Sequence, residues 1–169
     1  MKNSNFEIRN SKSTRILGLD VGDRRIGVAV GEAEGWLAQG LCTIERVGRE
    51  RDLEAIAALA REHEIAEIVV GLPLLLDGSV GEQARRARRF GRELAKRTGL
   101  PVVFWDERLS TVAAGRLLRE AGVRGAQREC KIDAAAAELI LQNYLDWRRT
   151  KRNEGRVIGK AGDDVNTGK

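Results

Sequence analysis

Residues 15–31, RILGLDVGDRRIGVAVG, limit the fold more than any other stretch, because they form two β-rich runs separated by Gly22 and Asp23. Apolar runs divided by a short glycine-containing turn are typical of a β-hairpin. Asp20 interrupts the first run among apolar residues, where an ionised carboxylate is costly unless a cation compensates it. Asp20 is therefore either part of the turn chemistry of the hairpin or a ligand of a divalent metal ion.

Downstream of the hairpin, the hydrophobic pattern alternates between the spacing of strands and that of helices. We expect a strand at about 36–45, a helix over GRERDLEAIAALAREHE, a buried strand over AEIVVGLP, a helix ending near residue 98, a strand over VVFWDER, and helices over STVAAGRLLREAG and IDAAAAELILQNYLDWRR. Ser79 and Glu82 have the spacing of a capping box before the second of these helices. This order predicts an α/β domain with a mixed sheet covered by helices.

The length of the chain is enough for one well-packed core, since 42% of its 169 residues are hydrophobic. We expect a single domain over residues 15–149, with flexible polar tails at 1–14 and 150–169. No apolar run has the length of a membrane span and no signal peptide is evident, so we expect a cytoplasmic protein without a membrane partner. Cys42 and Cys130 lack a CxxC spacing and neighbouring histidines, so both are expected to be reduced.

The net charge of +5 resides in the two ends of the chain, because residues 16–149 contain 21 basic and 21 acidic side chains. Bulk charge therefore does not predict that the folded body binds a polyanion. One local segment departs from this balance of basic and acidic residues. The segment ARRARRFGRELAKR, residues 84–97, carries seven basic residues against one acid, Glu93. It is either a helix that faces phosphates or a solvated helix face.

Two further acids stand at the ends of predicted elements. Glu107 follows the fifth predicted strand, and ligands of open α/β sheets gather at the carboxyl ends of strands. The alternative is a surface turn in which the acids of WDER pair with Arg108. Asp133 lies at the predicted start of the last helix, where it could simply be the N-cap. Together with Asp20, these acids supply the oxygen ligands that Mg²⁺ or Mn²⁺ prefers.

Four segments in this order and spacing, LGLDVGDRRIGVAVG, IVVGLPLLLDGS, DERLSTVAA and KIDAAAAELILQNYL, resemble the YqgF family over about residues 15–147. These small bacterial proteins have a ribonuclease-H-like fold and are described as Holliday-junction-resolvase-like and as nucleases that mature the small-subunit ribosomal RNA precursor. The resemblance implies a single ribonuclease-H-like domain. Its five-stranded sheet would have the order 3-2-1-4-5, with the second strand antiparallel to the others.

The resemblance also implies a site. Its catalytic and metal-binding residues would be Asp20, Glu107 and Asp133, its ion Mg²⁺ or Mn²⁺, and its substrate-binding residues Arg24, Arg25, Arg108, Thr111 and Gln83, with the loop 71–79 on the substrate side. The chain departs from the wider fold at two positions. Other members often carry the second acid at the end of strand four, whereas strand four of this chain ends in Gly71, Leu72 and Pro73 and the acid follows strand five. Junction resolvases tend to carry two acids three residues apart on the last helix, where this chain has Ala136 after Asp133.

The implied function is that of a metal-dependent endonuclease that hydrolyses phosphodiester bonds while processing the 5′ end of the 16S ribosomal RNA precursor in ribosome biogenesis. The alternatives are a Holliday junction resolvase acting on branched DNA and a noncatalytic RNA-binding factor of ribosome assembly. Actin-like ATPases and sugar kinases also begin with DxG in a hairpin, but they contain two copies of the unit and this chain contains one. The expected partner is nucleic acid, either the ribosomal RNA precursor or branched DNA. The resemblance is compatible with association with ribosomal particles, and the protein could be a monomer or a homodimer.

Overall fold

Five strands form one mixed sheet in the computed structural model, which describes residues 14–109 and 126–165. They are β1 (Arg15–Val21), β2 (Arg25–Glu32), β3 (Gln39–Glu45), β4 (Ile65–Leu72) and β5 (Val102–Asp106). The sheet order is β3-β2-β1-β4-β5. β2 is antiparallel to β1 and β3, whereas β1, β4 and β5 are mutually parallel. The predicted order and orientation are confirmed.

Within the described residues, three helices and one 3-10 turn accompany the sheet: α1 (Arg49–Glu62), α2 (Glu82–Thr98), the turn Glu107–Leu109, and α3 (Ala126–Val165). α3 begins earlier than the helix predicted from residue 132 and continues past residue 149. The predicted domain limits at residues 14 and 149 stay predictions. The predicted helix STVAAGRLLREAG lies outside the described residues.

Alternation along the strands divides the core into two layers. Leu17 and Leu19 of β1 pack in the layer under α1 and α2, whereas Ile16 packs in the layer under α3. The residues predicted to form the buried helix faces are all buried: Leu53, Ile56, Ala57 and Ala60 of α1, and Ala84, Ala87, Gly91 and Leu94 of α2. Both faces of the central strands are therefore covered.

α3 lies directly on the backbone of β1. A Cβ atom placed on Gly18 would lie 2.7 Å from Leu141 Cβ and 3.2 Å from the carbonyl oxygen of Ala137. The direction of α3 follows from two further contacts: Tyr144 donates a hydrogen bond to Glu67 near the start of β4, whereas Ile140 contacts Gly71 near its end. The earlier residues of α3 therefore lie toward the carboxyl ends of β1 and β4.

The start of α2 differs from the predicted capping box. The residue before the helix is Gly81, and no side chain caps it. Ser79 instead donates its hydroxyl and its backbone N–H to Asp77, at 2.6 and 2.8 Å. The capping-box prediction is wrong because the helix begins at Glu82, which is its first and not its third residue. Asp77 also accepts the Ser79 backbone N–H that Glu82 would accept in a capping box.

Three smaller expectations can be compared with the structure. β3 begins at Gln39, three residues later than predicted. Cys42 is a half-buried free thiol whose pKa is raised by burial, and Cys130 has no described side chain. Within the described residues, no helix combines the length and the hydropathy that a bilayer crossing requires.

Candidate active site at the carboxyl edge of the sheet

Asp20 is a buried residue of β1, with 5% of its surface exposed. It lies two residues after Gly18, so strand alternation places it on the sheet face that α3 covers. Its partner in β2 is Gly27, which has no side chain beside it. Asp20 therefore belongs to the interior of the strand, one residue before its end, and not to the turn that follows.

Glu107 opens the 3-10 turn after β5 and is 2% exposed. Its carboxylate occupies the space that a side chain on Gly71 would need, because a Cβ atom there would collide with Glu107 Oε1 and lie 2.6 Å from Ile140 Cδ1. Glu107 thus enters the site across β4, from the neighbouring strand.

The sheet register brings the two buried acids together. Leu19 and Val70 are paired in the parallel ladder, so Asp20 and Gly71 follow at the same level of neighbouring strands. Neighbouring strands lie about 4.8 Å apart. Because the Glu107 carboxylate fills the side-chain space of Gly71, it shares both the edge and the α3 face of the sheet with Asp20.

Asp133 lies in α3 two turns after its first residue, so it is not the N-cap of that helix. It precedes the buried residues Ala137 and Ile140 by four and seven positions, which is the spacing of one helix stripe. Because Ala137 lies over Gly18, the helix turn that precedes Ala137 lies closer to the carboxyl end of β1. The backbone position of Asp133 is therefore above the carboxyl edge, and its side chain is outside the described set.

The described side chains contain no group of three or more acids, histidines or cysteines close enough to hold a metal ion. Of the three predicted ligands, the structure therefore describes the carboxylates of Asp20 and Glu107 and only the backbone of Asp133. Ala136, three residues later, is buried, so the helix carries no second acid at the spacing noted for junction resolvases.

The two acids of WDER have different surroundings. Asp106 accepts hydrogen bonds from Arg108 Nε at 3.1 Å and Nη2 at 2.7 Å, and from the backbone N–H of Arg108 at 3.0 Å. The hydrogen bond from Arg108 holds the pKa of Asp106 below its usual value, and the same bond raises the pKa of Arg108. The surface pairing considered from the sequence therefore applies to Asp106 and not to the buried Glu107.

The loop after β4 lies beside this ion pair. A Cβ atom on Gly78, whose φ is +88°, would lie 3.0 Å from Arg108 Nη1. Backbone bonds from Leu75 N to Ser79 O, at 3.0 Å, and from Gly78 N to Leu75 O, at 2.8 Å, close the loop on itself. Leu76 at its tip is 98% exposed. The loop predicted on the substrate side thus adjoins the Glu107 end of the edge.

The hairpin turn after Asp20 carries the two predicted arginines. Arg24 is exposed, whereas Arg25 is half-buried and shares the sheet face of Asp20 by strand alternation. Gly22 N donates to Arg25 O at 2.9 Å and closes the turn. Both arginines are therefore adjacent to the edge where the acids meet.

An interaction that the sequence analysis missed fixes this turn. Arg46 donates through its backbone N–H to Arg24 O at 2.9 Å and through Nη1 to Gly22 O at 3.0 Å. Its Nε pairs with Asp52, which is 1% exposed, at 3.0 Å. In the sequence, Asp52 looks like an ordinary acid of a helix first turn, so no local signal pairs it with Arg46.

Gln83 and Thr111 are the remaining predicted substrate residues. Gln83 is exposed on the first turn of α2. Three residues later, Arg86 Nη1 bonds Asp23 of the hairpin turn at 2.9 Å, so the start of α2 borders the same edge. Thr111 lies outside the described residues.

Comparison with known proteins places this arrangement in a family. A family model named RuvX and described as Holliday junction resolvase matches residues 14–147. The chain belongs to the RuvX family. Among RuvX relatives, a protein of Moorella thermoacetica is 52% identical over 78% of this chain and 94% of its own length, and one of Myxococcus xanthus is 50% identical over 80% and 89%. Both carry the name "Putative pre-16S rRNA nuclease".

A solved structure shows the same fold. Thermus thermophilus RuvC in complex with a Holliday junction substrate superposes with a TM-score of 0.52 and 13% identity, over 81% of this chain and 96% of that chain. The family resemblance and the ribonuclease-H-like fold expected from the sequence are thereby confirmed for this RuvX protein.

Proposed function

We propose that this RuvX protein is a metal-dependent endonuclease that hydrolyses phosphodiester bonds at the 5′ end of the 16S ribosomal RNA precursor. The observation that carries the proposal is the buried Glu107 carboxylate, which fills the side-chain space of Gly71 beside Asp20. The substrate class is supported by relatives about half identical to this chain that are named for pre-16S rRNA. Branched DNA is the second candidate, since the family is described as Holliday junction resolvase.

The donor set fits a divalent ion. Two buried carboxylates at neighbouring strand positions repel each other and are poorly solvated, and a cation between them offsets both costs. Asp20 and Glu107 would hold Mg²⁺ or Mn²⁺, with Asp133 completing the set from α3. When bound, the ion lowers the pKa of a coordinated water and stabilises charge on the leaving oxygen.

The other residues of the edge would bind the phosphodiester. Asp106 orients the Arg108 guanidinium, so Arg108 would present its remaining N–H donors to a phosphate oxygen near Glu107. Arg24 adds a second cation from the hairpin turn. His63, the only histidine of the chain, accepts a bond through its backbone from Arg15 at the start of β1, so it lies at the opposite edge. The proposed reaction therefore uses no histidine base.

Conservative amide variants test the proposal. Asp20→Asn, Glu107→Gln and Asp133→Asn should each abolish cleavage of a 16S precursor fragment in Mg²⁺ or Mn²⁺. Without metal each variant should melt no lower than wild type, because one of three repelling charges is gone. Each should also lose the rise in Tm that the ion gives wild type by mass action. Asp146→Asn, an exposed change on α3, is the control and should behave as wild type.

Several outcomes would contradict this reading. Full cleavage by Asp133→Asn would show that α3 supplies no residue that the reaction needs. Full cleavage by Glu107→Gln would show that the reaction does not take place at the proposed site. Faster cleavage of a four-way DNA junction than of the RNA precursor would favour the second candidate. A wild type that binds precursor RNA but cuts neither substrate with either metal would favour a noncatalytic RNA-binding factor.

A further inference from the structure

The outward flank of α2 carries cations that the proposed site does not use. Each of Arg85, Arg88, Arg89, Arg92 and Lys96 lies three or four residues from another of the five, and we call these five side chains the basic face. The opposite side of the helix, including Ala84, Ala87 and Leu94, packs against the sheet. The basic face thus points to solvent along most of the helix.

The other charged residues of α2 are already neutralised. Arg86 pairs with Asp23 and Glu82, and Arg97 pairs with Glu50 and Glu54. In contrast, Arg88, Arg89, Arg92 and Lys96 have no ion pair among the described residues. A shallow groove of about 390 Å³ runs along the basic face, and the single acid in its lining, Glu93, is paired with Arg49 of α1.

This arrangement is unfavourable for the isolated protein. Like charges three and four positions apart on a helix repel one another, and no described acid compensates these four. The repulsion is relieved when an anionic surface lies along the groove. The basic face is therefore better suited to a polyanion than to open solvent.

The length of the basic face and the place where it begins indicate which kind of polyanion it binds. α2 starts at the carboxyl edge, where Arg86 contacts the hairpin turn after Asp20, and the basic face extends from there. The eleven steps from Arg85 to Lys96 along the helix rise about 17 Å, at about 1.5 Å per residue. At about 3.4 Å per nucleotide of one strand, this equals about five base pairs.

The lining also favours one mode of binding. Among the described residues, arginine, lysine and one glutamate line the groove, without an aromatic ring. Proteins that hold single strands stack bases on aromatic side chains, whereas contacts to a duplex backbone need only cations. We propose that the basic face binds the phosphate backbone of a double-helical arm adjoining the bond to be cut. The proposal rests on the proposed function, since it presumes a nucleic acid in the site.

A charge-neutralising variant tests it. Arg89→Gln/Arg92→Gln/Lys96→Gln removes three cations while keeping good helix formers. Arg51→Gln/Arg61→Gln/Lys151→Gln removes the same charge from exposed positions elsewhere. Binding would be measured by fluorescence anisotropy, without divalent ions, to a precursor RNA hairpin with a duplex arm and to the same RNA strand without the arm, over a series of salt concentrations.

The expected result is a change in salt dependence. For duplex binding, each lost phosphate contact lowers the slope of log K against log[salt] by about 0.9, so the α2 variant should lose about 2–3 from its slope. The control variant should keep the wild-type slope, and Arg89→Lys/Arg92→Lys should also keep it, because the charge remains. With the unpaired strand, wild type and the α2 variant should have the same slope.

The two proposals fail in different ways. A wild type that cleaves normally, with an α2 variant whose slope for the duplex substrate is unchanged, would overturn the basic face alone. Equal loss of slope on duplex and single strand would overturn its assignment to a double-helical arm. A wild type that binds neither RNA substrate nor a DNA junction would overturn both the basic face and the nuclease function.

Discussion

At the scale of single residues, the absence of a side chain on Gly71 leaves the space that the Glu107 carboxylate occupies. Glu107 is buried only because its carboxylate uses that space, under Ile140 of α3. Glycine is needed here for close approach and not for its backbone freedom, since Gly71 is absent from the glycines with positive φ. The candidate site therefore depends on a residue that contributes no functional group.

Gly71→Ala should displace the Glu107 carboxylate and abolish both cleavage and the metal-dependent rise in Tm. The added methyl also overpacks the core, at a cost of about 1–3 kcal/mol. Gly18→Ala is the matched control, because its Cβ atom would press on Leu141 of the same helix without meeting a carboxylate. It should lose similar stability in urea unfolding and retain the response to metal. An equal loss of metal response in both variants would show a packing effect only.

The pH dependence of Asp106 provides a second test at this scale. Arg108 lowers the pKa of Asp106, so the pair contributes stability above the unfolded pKa of about 3.9 and loses it as pH falls through the lower folded value. The pair therefore stays intact between pH 5 and 8. A ¹³C titration of the Asp106 carboxyl should show a depressed midpoint that rises in Arg108→Gln. An unchanged midpoint in that variant would mean that Arg108 is not held by Asp106.

The sequence singled out both described acids of the candidate site, because Asp20 interrupts an apolar run and Glu107 follows a strand, although each also had an interpretation as turn or surface chemistry. The approach of Glu107 across Gly71 could not be found from the sequence, since it depends on how two strands align. Ser79 shows the reverse. A correct local spacing gave a wrong cap because the helix begins only at Glu82 and Asp77 accepts the Ser79 backbone N–H.

At the scale of elements, the Arg46 contact joins the hairpin turn, α1 and α2. Its side chain bonds Gly22 O and Asp52, and its guanidinium lies 5.5 Å from the ring centre of Phe90. A single side chain thus sets the turn that follows Asp20 against both helices of one layer. No pairing of this kind is visible in a sequence, since its partners are matched by tertiary packing.

Asp52→Asn should destabilise the protein by about 3 kcal/mol, because it leaves Arg46 without its charged partner in a mostly buried position. Glu54→Gln is the control. It weakens the exposed pairs with Arg61 and Arg97, which should cost less than about 1 kcal/mol. Urea denaturation measures both. Equal effects of the two variants would show that the Arg46 pair behaves as a surface contact.

At the scale of the whole molecule, the sheet is covered on both faces at its centre and less at β3. β1 lies between β2 and β4 with its core side chains fully buried, whereas β3 pairs with β2 alone in the described part of the chain and is only partly buried. The topology expected from the family resemblance is correct. The length of α3 was missed because the segments flanking its apolar stripe are polar on all sides and carry no helical periodicity.

Native-state hydrogen exchange should follow this layering. Amides of β1 should exchange only through global unfolding, whereas those of β3 should exchange through local opening with a lower free energy. Mass spectrometry of peptic fragments with increasing denaturant would measure the difference. Protection of β3 equal to that of β1 would contradict it and would indicate that β3 is covered in solution.

Because Glu107 reaches the site through the side-chain space of Gly71, its carboxylate is attached after β5 but lies at the level of β4. The residues along β4 show glycine at that level and no acid. The positions of the oxygen atoms show the carboxylate. The charge lining a strand of this sheet is therefore not determined by the residues of that strand alone.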